Sequence, residues 1–536
     1  AIEDYGMYGQ DLIWSNDVYV DAMLSYNKEI KDFSVSASAG WVGHTVKGET
    51  QKLWTRATYF SYTDMNQLPT RINFFEPLAS WGGSNMNEYS LSSNWDKGLF
   101  FTGQVGYKDY VYLEGSYRQD WYRAFKQFEY RGTPDNYGYF SVGANTLMHR
   151  YISLPEFITH LKLRASYSEV GNSIPNEVFN KGKADLATGA IASSTYGYFD
   201  NPIPETSKSF EAGFDVSFFD SSLNWDLTYY HTGLYNNYFL QATTGGKSKP
   251  VNTGLIRNQG IETTVSYSLG FAKDWMWRTS VNFSYNDNKI VKTFKDEQGK
   301  SSKLEQKIAG GNIVVRYDEG GSYGDMYALD FRRNDDGSIY LSSNGAPQLS
   351  NNSYVYLGNM NSKFQLGWGN TISWKDLSLY FLVSGRIGGK VISLTEAYLD
   401  YQGVSKRVGD ARLAAEANPD LQWNGKPAMV MPDGNLAPIE EYYKAVGGNM
   451  FGSQYVYDAT NFRLAELSLG YSFHNLFGGV ISNLSLSVVG RNLFFIYKDA
   501  PVDPDIALST KNGLGAFDIF NMPATRSVGV NLKIDF

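Results

Sequence analysis

The stretch SFEAGFDVSFFDSSLNWDLTYY, residues 209–230, alternates with period two on both sides of a short turn. Phe210, Ala212, Phe214, Val216 and Phe218 alternate with Glu211, Gly213, Asp215 and Ser217. After Asp220-Ser221-Ser222, Leu223, Trp225, Leu227 and Tyr229 alternate with Asn224, Asp226 and Thr228. Successive side chains of a strand point to opposite faces, so each strand has one apolar and one polar face. Two such strands joined by a tight turn form an antiparallel hairpin. The same pattern surrounds Lys108-Asp109. It recurs from Ile261 to Tyr285, from Phe364 to Val383 and from Leu467 to Val488. About eighteen segments fit this template, many longer than the ~5–6 residues usual in soluble sheets.

The connections sort into two sets. Residues 28–32, 108–109, 220–222, 272–274, 375–376 and 474–480 are short turns. Residues 122–137, 170–205, 236–254, 290–322, 388–460 and 493–525 are long loops. Short turns at one end and long loops at the other predict an all-β, transmembrane antiparallel barrel of the outer-membrane type. Aromatic residues near strand ends (Trp41, Tyr107, Tyr110, Trp121, Trp275, Trp277, Trp374, Tyr380 and Phe473) fit the interfacial girdles of such a barrel. The 388–460 loop carries a helical stretch, 393–420, which reads as one or two short helices ended by Asn418-Pro419.

Composition narrows the function. No apolar run reaches the ~20 residues of a transmembrane helix, which a barrel does not need. The net charge of −8 argues against nucleic acid as a partner. There is no cysteine, and the five histidines (His44, His149, His160, His231 and His474) lack metal-ligand spacing. No metal or other cofactor is expected. Carboxylate pairs such as Glu440-Glu441, Asp335-Asp336 and Asp503…Asp505 sit in loops without a nucleophile or partner base, so no enzyme is expected.

Several ordered motifs then give a resemblance. LKLRASYSEVGN (161–172), NTGLIRNQGIE (252–262), TNFRLAELSLGYSF (460–473), VVGRNLFFIYKDAPVDPD (488–505) and PATRSVGVNLKIDF (523–536) resemble segments of SusC/RagA-type TonB-dependent transporters. The resemblance implies a barrel of about 22 strands with a plugged lumen. It implies TonB-dependent import of a large nutrient across the bacterial outer membrane, an oligosaccharide or glycan first, a peptide as the alternative. A SusD-like surface lipoprotein is implied as a lid, in a dimer of transporter–lipoprotein pairs. On this reading residues 1–536 are the C-terminal, barrel-forming part. The plug, the N-terminal extension and the first strands would lie in an N-terminal segment, through which TonB would act. A passive porin or adhesin barrel and a soluble carbohydrate-binding β protein are the readings from other classes.

Sugars present an apolar face and a polar rim, so aromatic platforms with amides and carboxylates recognise them. Tyr354, Tyr356, Tyr398, Tyr401, Trp423 and Tyr442, with Asp400, Asn424 and Asp433, are the loop candidates for substrate binding. The final strand places Val528, Val530, Leu532, Ile534 and Phe536 on the lipid face, with Phe536 as an expected membrane-insertion signal.

Overall fold

The computed structural model describes residues 7–56, 87–126, 134–173, 202–242, 248–293, 295, 305–505 and 515–536. Fifteen strands form one sheet in chain order. They are β1 (Met7–Ile30), β2 (Phe33–Arg56), β3 (Asn87–Tyr107), β4 (Val111–Tyr122) and β5 (Asn136–Leu147). Then come β6 (Ile158–Asn172), β7 (Glu205–Phe218), β8 (Leu223–Ala242), β9 (Ser248–Ala272) and β10 (Trp275–Lys292). The last five are β11 (Phe364–Trp374), β12 (Leu377–Ile387), β13 (Asn461–Leu476), β14 (Ile481–Lys498) and β15 (Ser527–Asp535). Each neighbouring pair is antiparallel, and β1 and β15 are the two edges of the sheet.

The register carries the alternation across the whole wall. Phe101 faces Tyr117, and Tyr117 faces Phe140. Val281 lies between Val265 and Trp368, and Trp368 faces Val383. Leu469 lies between Leu379 and Val488, and Val488 faces Val530. Most of these apolar positions are exposed, with Leu379 and Val383 half-buried; Leu469 and Val488 are 51% and 50% open. An apolar outer belt of this size is stable only against lipid. The other face is polar and internally bonded. Ser116 and Ser141 pair at 2.7 Å, Thr264 donates to Asn282 at 2.8 Å, and Arg164 meets Asp226 at 2.9 Å. The belt faces the bilayer and the polar face lines a lumen.

All the short turns predicted from sequence lie at one rim. Lys31, Lys108, Asp109, Asp220, Ser221, Asp274 and Lys375 adopt positive φ there. Neighbouring turns are stitched together. The Lys108 N–H donates to the Asp32 carbonyl at 2.7 Å, Lys375 to Asp274 and Ser472 to Asp376, each at 3.0 Å. Aromatic rings collect at the same rim: Phe33–Tyr107 at 5.0 Å, Phe271–Trp275 at 5.6 Å and Trp275–Trp374 at 5.7 Å. Tyr380 departs from the expected girdle. It faces Thr371 and Ser468, on the polar side of the wall.

Two loop expectations change. The 236–254 loop shrinks, because β8 and β9 stay paired out to Ala242 and Ser248. The barrel sheet has fifteen described strands rather than about eighteen, and strand segments between β10 and β11 stand apart from the wall. They form a separate four-stranded sheet: Glu305–Ile308, Ile313–Arg316, Asp325–Phe331 and Leu349–Asn359. Much of 170–205 and parts of 122–137, 290–322 and 493–525 lie outside the described residues.

The 388–460 loop contains α1 (Leu394–Tyr401), α2 (Lys406–Ala417) and α3 (Ile439–Gly448). The first two were expected, and α3 was not. Ser393 caps α1 by accepting from the Glu396 N–H, and Ser405 caps α2 by accepting from Val408, both at 3.2 Å. Lys390–Ser393 pairs with Val456–Asp458 and, in parallel, with Phe517–Asp518 of the β14–β15 loop. One apolar core joins three of the long connections, β10–β11, β12–β13 and β14–β15. Ile313, Met326 and Phe331 come from the first, Val408, Phe451 and Tyr455 from the second, and Phe517 from the third. The largest apolar core among the described residues is therefore outside the barrel, in an extracellular domain.

Candidate functional site

Where the tops of β6–β10 meet the four-stranded sheet, a cavity of about 990 Å³ opens at the extracellular rim. Its lining is rich in asparagine, with Asn172, Asn258, Asn286, Asn288 and Asn359 among its residues. Tyr235, Tyr238, Tyr323 and Tyr356 supply aromatic surface.

The cavity is built by docking the sheet onto β10. The Asn288 side-chain oxygen accepts from the Tyr323 N–H at 2.6 Å and the Ser322 hydroxyl at 3.2 Å. Its amide nitrogen donates to Asn258 at 2.8 Å. Gly320 and Gly321 exchange backbone bonds with Ile290, which is 1% exposed. Asp325, buried at the base of the sheet, accepts from the Ser322 N–H, the Tyr356 hydroxyl and the Asn359 amide at 2.8, 3.1 and 2.8 Å. The Tyr356 hydroxyl is pushed up to about 12, by burial first and then by the Asp325 charge. It stays a donor, and its ring remains 57% exposed. Arg257 pairs with Asp287 at 3.1 Å on the cavity wall, and among the described residues its Nε has no hydrogen-bond partner.

Of the loop residues expected to bind substrate, Tyr356 alone lines this cavity. Tyr354 donates to the Gly311 carbonyl at 2.6 Å, with the Arg316 guanidinium 4.6 Å from its ring. Tyr398 and Tyr401 are half-exposed on α1, and Tyr398 stands edge-on to Phe520 at 5.2 Å. Trp423 and Asn424 form a hairpin corner, with Asn424 at positive φ.

Three further candidates, Tyr442, Asp400 and Asp433, are held by structural partners. Tyr442 is buried in the core, 6.4 Å from Phe331. Asp400 is 1% exposed and accepts from the Tyr455 hydroxyl at 2.8 Å. Burial holds its carboxyl above the usual range, against the pull of Ser405, Arg407 and Tyr455. Asp433 accepts from the Ile339 and Asn435 N–H groups at 2.7 and 3.1 Å. These donors outweigh its partial burial and hold its carboxyl below the usual range. The five C-terminal residues Val528, Val530, Leu532, Ile534 and Phe536 are all exposed, and the first four sit in register with the outer belt.

The cavity residues Asn258, Asn286 and Asn288 were missed. Their signal was present: in Tyr285-Asn286-Asp287-Asn288-Lys289 the period of two lapses into a polar run at the extracellular end of β10. Among the described residues no group of three or more His, Asp or Glu side chains converges as a metal site. The arrangement sets amide side chains beside tyrosine faces in one cavity.

Residues 4–384 match the family model for the TonB dependent receptor-like β-barrel. The TonB-dependent receptor P3 of Formosa agariphila is 24% identical over 95% of this chain and 51% of its own length. The TonB-dependent receptor SusC of Bacteroides thetaiotaomicron is 21% identical over 67% of this chain and 36% of its own. The RagAB peptide transporter superposes with a TM-score of 0.71 at 18% identity, covering 99% of this chain and 56% of that one. The chain spans about half the length of the P3 receptor it matches. Wall and family match agree: the chain belongs to the TonB dependent receptor-like β-barrels of the bacterial outer membrane.

Proposed function

We propose that this chain forms the barrel of a TonB-dependent importer for a large polar nutrient, an oligosaccharide or glycan. The observation that carries this reading is the asparagine- and tyrosine-lined cavity at the extracellular rim, above a polar lumen. Tyrosine faces stack on the apolar side of a sugar ring, and amides bond its hydroxyl rim. A peptide importer is the second reading, supported by the charged groups Arg257, Asp287 and Asp325 in the same cavity.

The two edges at β1 and β15 are unpaired among the described residues, and lipid does not tolerate an open edge. A further segment of the same transporter, with plug and first strands, closes the wall on this reading and receives TonB. A SusD-like surface lipoprotein covers the extracellular domain, in a dimer of such pairs.

Tyr235→Ala and Tyr356→Ala in the complete transporter test the glycan reading by isothermal titration with a panel of neutral oligosaccharides and peptides. Each is expected to lower affinity for one oligosaccharide about tenfold, the ~1.4 kcal/mol scale of a lost aromatic contact. Unchanged affinity in both variants overturns the site, and binding of peptides alone overturns the glycan. Uptake that persists without TonB makes the barrel a passive porin.

A further inference from the structure

A second cavity, of about 530 Å³, lies on the polar face between β9 and β13. Two arginines project into it, Arg386 at the end of β12 and Arg463 at the start of β13. Both guanidiniums converge on one carboxylate, Asp505 of the β14–β15 loop. Arg386 Nη1 is 3.2 Å from its Oδ1, and Arg463 Nη2 bonds its Oδ2. Arg463 also holds Asp503 at 3.1 Å and lies 4.7 Å from the Phe495 ring. Asn461 donates to Asp505 at 3.3 Å. Two motifs of the sequence, 460–473 and 488–505, thus meet at one point, and the import reading leaves that point unexplained.

Three features distinguish it from an ordinary strand-to-strand ion pair. The carboxylate comes from a loop, so it can leave without breaking the wall. The pair is not sealed: Arg386 is 49% exposed and Asp505 25%. The same loop continues into the extracellular domain, where Phe517 sits in the core and Asp518 accepts from the Ser393 hydroxyl at 2.7 Å. Asp505 on the wall and Phe517 in the extracellular domain thus belong to the same β14–β15 loop. The cavity lining also includes Gln365, Asn282, Asn492 and Glu262, side chains suited to hydroxyl groups.

We propose that Arg386 and Arg463 form a carboxylate-recognising station on the lumen wall, occupied here by Asp505 and open to an acidic sugar of the substrate that displaces it. The planar guanidinium favours carboxylates with two-point geometry. Asp505 acts as a tethered competitor, and its departure leaves Asp503 on Arg463. This inference rests on the import reading above and adds to it a preference for uronate-bearing oligosaccharides.

The test uses the complete transporter in detergent at fixed ionic strength, titrated with trigalacturonate and with neutral trigalactose. Trigalacturonate is expected to bind more tightly and to increase hydrogen exchange in residues 499–505. Asp505→Asn is expected to tighten trigalacturonate binding about tenfold if the latch is closed nine-tenths of the time. It leaves trigalactose unchanged, and Arg463 keeps Asp503 in that variant. Arg386→Gln, at a half-exposed position, is expected to abolish the acidic preference while sparing the neutral ligand. Equal binding of both trimers, or no tightening in Asp505→Asn, overturns the station. Loss of neutral binding in Tyr356→Ala together with equal binding of the trimers leaves the glycan reading standing and removes only this inference.

Discussion

The barrel wall and the extracellular domain solve opposite problems with one chain. The wall turns its large side chains outward: Leu469, Val488 and Phe101 are exposed, and serines, threonines and ion pairs line the inside. The extracellular domain turns Phe451, Tyr455 and Phe517 inward, each at 0% exposure, as a soluble protein does. The wall is held by backbone ladders between neighbours in sequence. The domain is held by side chains from segments far apart in the chain, from Ile308 to Phe517. Damage therefore spreads differently. A fault in the wall is local to a strand and its lipid contact, and a fault in the domain is shared by three loops.

The sharpest way to break this contrast is Phe517→Ala. Loss of a fully buried phenylalanine costs about 3–5 kcal/mol. Hydrogen exchange should rise together in 305–359, 388–460 and 515–519 while the barrel keeps its heat-modifiable mobility. Exchange confined to 515–519 would mean that the loops are independent. Next comes the wall. Leu469→Arg, on the lipid face, should cost about 2–4 kcal/mol if it lies near mid-membrane. Ser487→Arg, one position away on the polar face, should leave the yield of folded barrel nearly unchanged. Equal damage from both would contradict the assignment of faces.

A smaller effect probes the joint between loops. Ser393 caps α1 and donates to Asp518. Ser393→Ala should cost about 0.5–2 kcal/mol, read as a lower protease concentration for cleavage of the 388–460 loop. The smallest effect is with pH. Asp433 and Asp458 are depressed despite burial, Asp433 by backbone donors and Asp458 by Thr460 and Lys390. Their contribution is present above the unfolded value of about 3.9 and is lost as pH falls through their folded values. Asp400 has the opposite sign. Burial raises it, so its ionised form weighs against folding above the raised value and the penalty is relieved as pH falls through it. Asp433→Asn should flatten the acid side of a protease-resistance profile, and Asp400→Asn should not.

The same contrast explains what was legible in the sequence. The wall was readable because a period of two is local, and a slip of one residue would turn every side chain to the wrong face. Phe210 to Tyr229 and the turn at 220–222 fell where the pattern put them. The domain was not readable, because its core depends on contacts across more than two hundred residues of chain, Ile308 to Phe517. A loop tyrosine such as Tyr442 and a loop carboxylate such as Asp400 are the same residues in sequence whether they face a ligand or a core. The cavity asparagines stood at strand ends, where alternation stops informing and only the docked sheet shows what they surround.

The shared core also defines what can be exchanged between relatives. A transplanted β12–β13 loop would arrive without the phenylalanines of its two neighbours, and its own Phe451 would meet the wrong partners. Grafting one loop at a time should therefore give barrels with collapsed tops. The unit that keeps this core intact in an exchange is the trio of loops that builds it.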